Sequence, residues 1–196
     1  MRFSVAGNIG KVLVMLLAPF LGTAVPLLPL QLLWLNLLTD GLLGLGLGLD
    51  PPERTVMSRP PYSPSEGIFA RPAGRRVLGT GALIGAVALA LGTGYFYADR
   101  SGWQTLVFTS LAFAQVAQAL SARSEMEPAL RMGFKGNPTL AAMAAAVVVL
   151  QLAVVYVPGL NDFFGVQALS PLDLAAAAGA GVFVLAVLEA FKLARR

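Results

Sequence analysis

The chain has 196 residues, 57% of them hydrophobic and 12% charged, against about 25% charged in an average soluble domain. That composition excludes a soluble globular domain, and the net charge of +4 reads as basic residues flanking membrane spans rather than as a nucleic-acid surface. With no Cys and no His, disulfides, thiolate or imidazole metal sites and a histidine general base are all excluded.

Six apolar segments are long enough to cross a bilayer as helices: 4–24, 29–49, 77–97, 103–122, 138–158 and 172–193. The expected fold is all-α, a single membrane domain over 1–196 with six transmembrane helices. The first span begins almost at Met1. Asn8 and Lys11 interrupt it and no clean cleavage site follows, so it does not read as a signal peptide. Asn8 and Lys11 are three apart and are expected to face one direction. Lys11 has two readings: an internal counter-ion for a buried carboxylate, or a long side chain that reaches the interface. Pro19 removes a helical hydrogen bond and predicts a kink.

The second span carries the most telling feature, Gln31-Leu-Leu-Trp-Leu-Asn36-Leu-Leu-Thr39-Asp40-Gly41. A carboxylate near mid-membrane costs about 2.5–3.5 kcal/mol to insert, so it has to be neutralised or functional. Helical spacing puts Asn36, Thr39 and Asp40 on one face. An oxygen-lined face inside a membrane suits a hard cation stripped of its water. Gly44, Gly46 and Gly48 alternate with Leu at the end of this span. They indicate close packing or a flexible end rather than a nucleotide loop, because no strand precedes them.

The loop over 50–76 is rich in proline (Pro51, Pro52, Pro60, Pro61, Pro64 and Pro72) and is expected to be extended and turn-like. The third, fifth and sixth spans are rich in Gly and Ala, which lets membrane helices approach closely. Gln115 and Gln118 lie three apart on the fourth span. Gln115 sits deeper and can either ligate a cation or bond a neighbouring helix. Gln151 on the fifth span is expected to join helices, and Glu189 on the sixth to pair with Lys192. Of the two tryptophans, only Trp103 lies near an expected interface.

Twelve basic residues fall on one side of the expected spans: Arg2, then Arg54, Arg59, Arg71, Arg75 and Arg76, then Arg123, Arg131 and Lys135, then Lys192, Arg195 and Arg196. Only Arg100 falls on the other. The positive-inside rule therefore puts both termini and the 50–76 loop in the cytoplasm.

Three stretches resemble a known family. Asn8-Ile-Gly-Lys11, Leu30 to Gly41, and Gly48-Leu-Asp-Pro-Pro-Glu-Arg-Thr-Val-Met57-Ser-Arg-Pro-Pro61 are similar to the C-terminal membrane region of P-type cation-transporting ATPases, the calcium-pump-like class above all. The resemblance implies that the six spans correspond to helices five to ten of a ten-helix membrane domain. It implies that Asn8 is a coordinating residue of the fifth helix, and that Asn36, Thr39 and Asp40 coordinate from a partly unwound sixth helix. Gln115 falls where two-site calcium pumps carry a carboxylate on the eighth helix, and Lys11 where they carry a coordinating Glu. Both departures leave at most one divalent metal site, sharing Asn36 and Asp40 with the fourth helix, and a proton or a monovalent cation stays open beside Ca2+. The resemblance also implies that the 50–76 loop touches the phosphorylation domain.

The phosphorylation motif DKTGT and the motifs TGES and PEGL do not occur in these residues. No catalytic residue is therefore expected here. ATP and Mg2+ would act through domains not contained in this sequence, and partnership with the phosphorylation domain and the first four helices is implied. The abrupt start leads to the expectation of a truncated or split gene product, in a bacterial-type plasma membrane. The rivals are a free-standing six-helix channel or carrier and a non-transporting membrane subunit.

Overall fold

The computed structural model describes residues 1–51, 72–123 and 136–194, the side chains of 72 and 73 excepted. Most of the 50–76 loop, including Arg54, Arg59 and Arg71, lies outside the described residues, as do Arg131, Lys135, Arg195 and Arg196. Among the described residues, six helices are long and apolar enough to cross a membrane.

Helix α1 (Arg2–Phe20) buries a stripe of Phe3, Gly7, Lys11, Val14 and Ala18, spaced at three to four residues as one helical face requires. Pro19 lies in its last turn. The helix ends one residue later, and the Thr23 amide and hydroxyl both donate to the Ala18 carbonyl, at 3.2 and 2.9 Å. The span expected to reach residue 24 thus stops at Phe20, because the threonine supplies the terminating hydrogen bonds.

The second span has three parts: α2 (Pro29–Leu33), a π-helical turn (Trp34–Thr39) and α3 (Asp40–Gly48). Pro29 starts it at the first helical position, where a missing N–H costs nothing. Gln31 fixes the entry, with Oε1 accepting the Leu28 amide at 3.1 Å and Nε2 donating to the Phe164 carbonyl at 3.0 Å.

Helix α4 (Pro72–Tyr97) begins five residues before the expected start at 77, since Pro72 is tolerated in a first turn. Helix α5 (Trp103–Ala122) follows Gly102, whose φ of +80° makes the turn. Asn137 caps α6 (Pro138–Tyr156) by accepting the Leu140 amide at 2.8 Å. A short helix, α7 (Leu160–Phe164), occupies what reads in the sequence as a plain connection. Ser170 caps α8 (Pro171–Leu193) through the Asp173 amide.

Helix α5 is the centre of the bundle, buried along most of its length against α8, α4, α6 and α3. Its Phe108 and Leu111 meet Val14 of α1, Leu35 of the π turn, Ile84 of α4 and Val184 of α8. Lipid tails are as apolar as leucine, so close approach rather than hydrophobicity selects these contacts. The α1–α4 pair shows this. A Cβ on Gly81 would lie 2.7 Å from the Ala6 carbonyl oxygen, and one on Gly10 would lie 3.1 Å from the Gly81 carbonyl. Of the three alternating glycines in α3, Gly46 alone is a packing glycine, lying against Leu140 of α6; Gly44 and Gly48 face open space.

Buried polar bonds also join the helices. Gln151 of α6 accepts from Trp34 Nε1 at 3.0 Å and donates to Thr109 Oγ1 at 3.3 Å, which is the joining role its sequence position suggests. Glu189 and Lys192 pair at 2.8 Å, as their spacing predicts.

Candidate cation site

Three helices converge on one carboxylate. Lys11 Nζ of α1 donates to Asp40 Oδ2 at 2.7 Å, and Gln115 Nε2 of α5 donates to Asp40 Oδ1 at 2.8 Å. The Lys11 and Asp40 side chains are 3% and 8% exposed, and Gln115 is fully buried. Removing two charges from water costs several kcal/mol each, so this pair survives only through close geometry and added hydrogen bonds. Of the two readings of Lys11, the buried pair is the one the side chain adopts; it does not reach for the interface.

Local sequence explains the convergence. Gly7 lies one turn before Lys11, and a Cβ there would come within 3.0 Å of Gln115 Nε2 and 3.6 Å of Asp40 Oδ1. The missing side chain lets α5 bring its glutamine up to the carboxylate. Asp40 is the first residue of α3, immediately after the π turn. Turns of this kind widen the helix and commonly mark functional positions.

The π turn also changes the face. Residues four apart stack in an α-helix but not across a wider turn. Thr39 and Asp40 are buried, whereas Asn36 is exposed, so the three do not share one face as their spacing predicts. The backbone stays helical through this region, with Thr39 at φ −67° and ψ −54°, rather than unwinding as the family resemblance implies. Asn8 is exposed too, although Lys11 three residues later is buried. Asn8 lies at the edge of the buried stripe of α1, a rotation that i,i+3 spacing alone does not resolve. Neither asparagine makes a side-chain hydrogen bond to a described residue.

Of the expected set, then, Lys11, Asp40 and Gln115 are brought into contact, Thr39 is buried beside them in the chain, and Asn8 and Asn36 lie outside the cluster. Four buried side-chain oxygens find no hydrogen-bond partner among the described residues: Gln115 Oε1, Thr39 Oγ1, Gln118 Oε1 and Ser110 Oγ. Gln118, whose Nε2 donates to the Phe3 carbonyl at 3.0 Å, is the residue that a reading of the spans leaves out of the site. Its signal in the sequence is its position one turn from Gln115. Among the described residues, no group of three or more Asp, Glu, His or Cys gathers in one place. The chemistry on offer is thus one carboxylate, saturated by an ammonium and an amide, with neutral oxygens nearby. A cation could use Asp40 Oδ2 only after Lys11 withdraws.

Comparison with known proteins agrees with this architecture. The chain is 37% identical over 175 residues to a calcium-transporting ATPase of Bacillus subtilis, covering 88% of this chain and 20% of that protein. It is 32% identical over 190 residues to a calcium-transporting ATPase of Listeria monocytogenes, covering 96% of this chain and 21% of the relative. It is 27% identical over 198 residues to the human calcium-transporting ATPase type 2C member 2, covering all of this chain and 21% of that protein. The chain therefore spans about a fifth of the length of the curated relatives it matches. The family described as the C-terminus of cation-transporting ATPases matches residues 24–194, and the chain belongs to that family, as the C-terminal membrane region of a P-type ATPase.

Proposed function

We propose that this chain forms the cation-binding half of the membrane domain of an ATP-driven pump, and that Lys11 is a built-in counter-ion for the transport carboxylate Asp40. One observation carries this reading: the buried Lys11–Asp40–Gln115 contact at the π turn of the second span. In the ion-free state the ammonium occupies the carboxylate. When the pump's phosphorylation cycle moves α1 against the second span, Nζ leaves Oδ2. Asp40 then supplies charge to the cargo, and Thr39 and Gln115 supply neutral oxygens that have no hydrogen-bond partner among the described residues. Return of Lys11 expels the cargo without a counter-transported ion, because the lysine itself restores neutrality.

Ca2+ is the cargo we propose, from the names of the relatives, at a single site, since Lys11 replaces an oxygen donor with a cation. Asn8 and Asn36 complete the cage from the exposed side. Val12 and Leu16 of α1 and Leu33 and Leu37 of the second span are exposed as well. Such an apolar face studded with two amides suits the fourth helix of the pump, with the first three beyond it. ATP and Mg2+ act at the pump's phosphorylation and nucleotide domains, and the 50–76 loop is the contact to the former. Both termini face the cytoplasm, in a bacterial-type plasma membrane.

The test is Asp40→Asn in the complete pump. Cation-stimulated phosphorylation is expected to disappear while back-phosphorylation by inorganic phosphate persists. Unchanged cation affinity in that variant would remove Asp40 from the site.

A further inference from the structure

An ammonium that leaves Asp40 inside the bundle needs another acceptor, because stranding a charge out of water is strongly unfavourable. Lysine offers three N–H donors and no acceptor, so the new partner has to be an oxygen. Two amide oxygens of α5 are buried with no hydrogen-bond partner among the described residues, Gln115 Oε1 and Gln118 Oε1. They differ in what the rest of the side chain does. Gln115 donates to Asp40 through Nε2 at 2.8 Å, and so stays with the carboxylate and its cargo. Gln118 is held by α1 instead, its Nε2 donating to the Phe3 carbonyl at 3.0 Å.

That bond fixes which end of the Gln118 amide is oxygen. Gln118 Oε1 lies 3.7 Å from the position a Cβ on Gly7 would take, and Asp40 Oδ1 lies 3.6 Å from the same point. Phe3, Gly7 and Lys11 follow one another along one buried face of α1. Long side chains on a helix lean toward its N-terminus, over the preceding turn. The Lys11 side chain therefore leans over Gly7, where no Cβ obstructs it and where both oxygens lie.

We infer that Gln118 is a positioning residue for transport: its Oε1 receives the Lys11 ammonium when Asp40 turns to the cargo, and returns it when the cargo leaves. The inference rests on the counter-ion reading of Lys11 proposed above. An amide oxygen carries only a partial charge, so it holds an ammonium more weakly than a carboxylate does. Lys11 thus goes back to Asp40 once the cargo is gone, whereas a carboxylate at position 118 would compete for it. Because Nε2 is bonded to the backbone of α1, the acceptor stays beside the helix that carries Lys11.

The experiment is a pair of double-mutant cycles between Lys11→Met and Gln118→Met in the full chain. One cycle keeps Asp40; the other is run in the Asp40→Ala background, which takes away the first acceptor. Unfolding in mixed micelles gives the equilibrium constants. With Asp40 intact the two substitutions should act independently, since Lys11 is engaged on Asp40 at 2.7 Å. In Asp40→Ala the ammonium should move to Gln118, and a coupling of roughly tenfold or more should appear in the unfolding equilibrium. A purely structural role for the Gln118–Phe3 bond gives no coupling to Lys11 in either background. Independent effects in Asp40→Ala would overturn the inference, as would the same coupling in both backgrounds. Neither result bears on the counter-ion reading, which stands or falls on the separate coupling of Lys11 to Asp40. Should the Asp40→Ala forms fail to fold, the Ca2+ affinity of the complete pump decides. Gln118→Met should weaken it roughly tenfold more with Lys11 present than alongside Lys11→Met. Equal weakening in the two would overturn the transfer.

Discussion

Remove the charge of Lys11 and the consequences can be worked from the geometry. At 2.7 Å, the Lys11–Asp40 attraction is about 6 kcal/mol at an effective dielectric constant near 20. Desolvation of both groups offsets most of that gain, so the pair adds little net stability. Breaking it from one side is a different matter, because it strands a buried charge. Lys11→Met is expected to destabilise the bundle by ~3–5 kcal/mol, and Asp40→Asn by a similar amount, since each leaves one partner unmatched. The double variant carries no buried charge, and Gln115 Nε2 still meets a carbonyl oxygen at position 40. It should lie within about 1 kcal/mol of the parent. The signature is thus a coupling energy of several kcal/mol across the double-mutant cycle. Unfolding in mixed micelles, followed by the fluorescence of Trp34 and Trp103, measures it. Single effects that add to within ~0.5 kcal/mol in the double variant would show that the two charges do not meet, and the counter-ion reading would go with them.

Other consequences follow from neighbouring contacts. Gln115→Leu removes the donor to Asp40 Oδ1 and should cost ~1–3 kcal/mol in the same unfolding assay; an unchanged midpoint would mean that the amide does not serve the carboxylate. Asn137→Ala loses donors to the Gly46 carbonyl and to Asp50 Oδ1, as well as the cap of α6, and should destabilise by ~1–3 kcal/mol. Gly81→Ala forces α1 and α4 apart and should cost ~1–3 kcal/mol. Gly79→Ala, which meets nothing within 4 Å, should stay within ~0.5 kcal/mol, and equal effects at the two positions would argue against that helix contact. For the orientation, a fluorescent protein fused after Arg196 should mature in the cytoplasm, and alkaline phosphatase inserted beside Arg100 should be active; the reverse pattern would invert the topology.

The all-helical fold and the six membrane-crossing helices follow from composition and apolar run length alone, because an isolated backbone in lipid has to satisfy its own hydrogen bonds and a helix does so locally. The same locality sets the helix starts at Pro29, Asn137 and Ser170 and made the Glu189–Lys192 pair readable from its spacing. Asp40 announces itself for a related reason, since a carboxylate at mid-membrane depth is expensive whatever surrounds it. What answers that charge is a different kind of question. The rotation of Asn36 away from Asp40 depends on a π turn, which i,i+4 counting assumes away. The choice of Lys11 over the interface, the arrival of Gln115 past Gly7, and the exposure of Asn8 are set by how α1, α5 and the second span rotate and pack. Partners 29 and 75 residues away along the chain leave no periodic trace in it. The sequence by itself settled where the costly charge sits, because that cost is paid residue by residue; only the tertiary structure decided what neutralises it, because that depends on the mutual rotation of three helices.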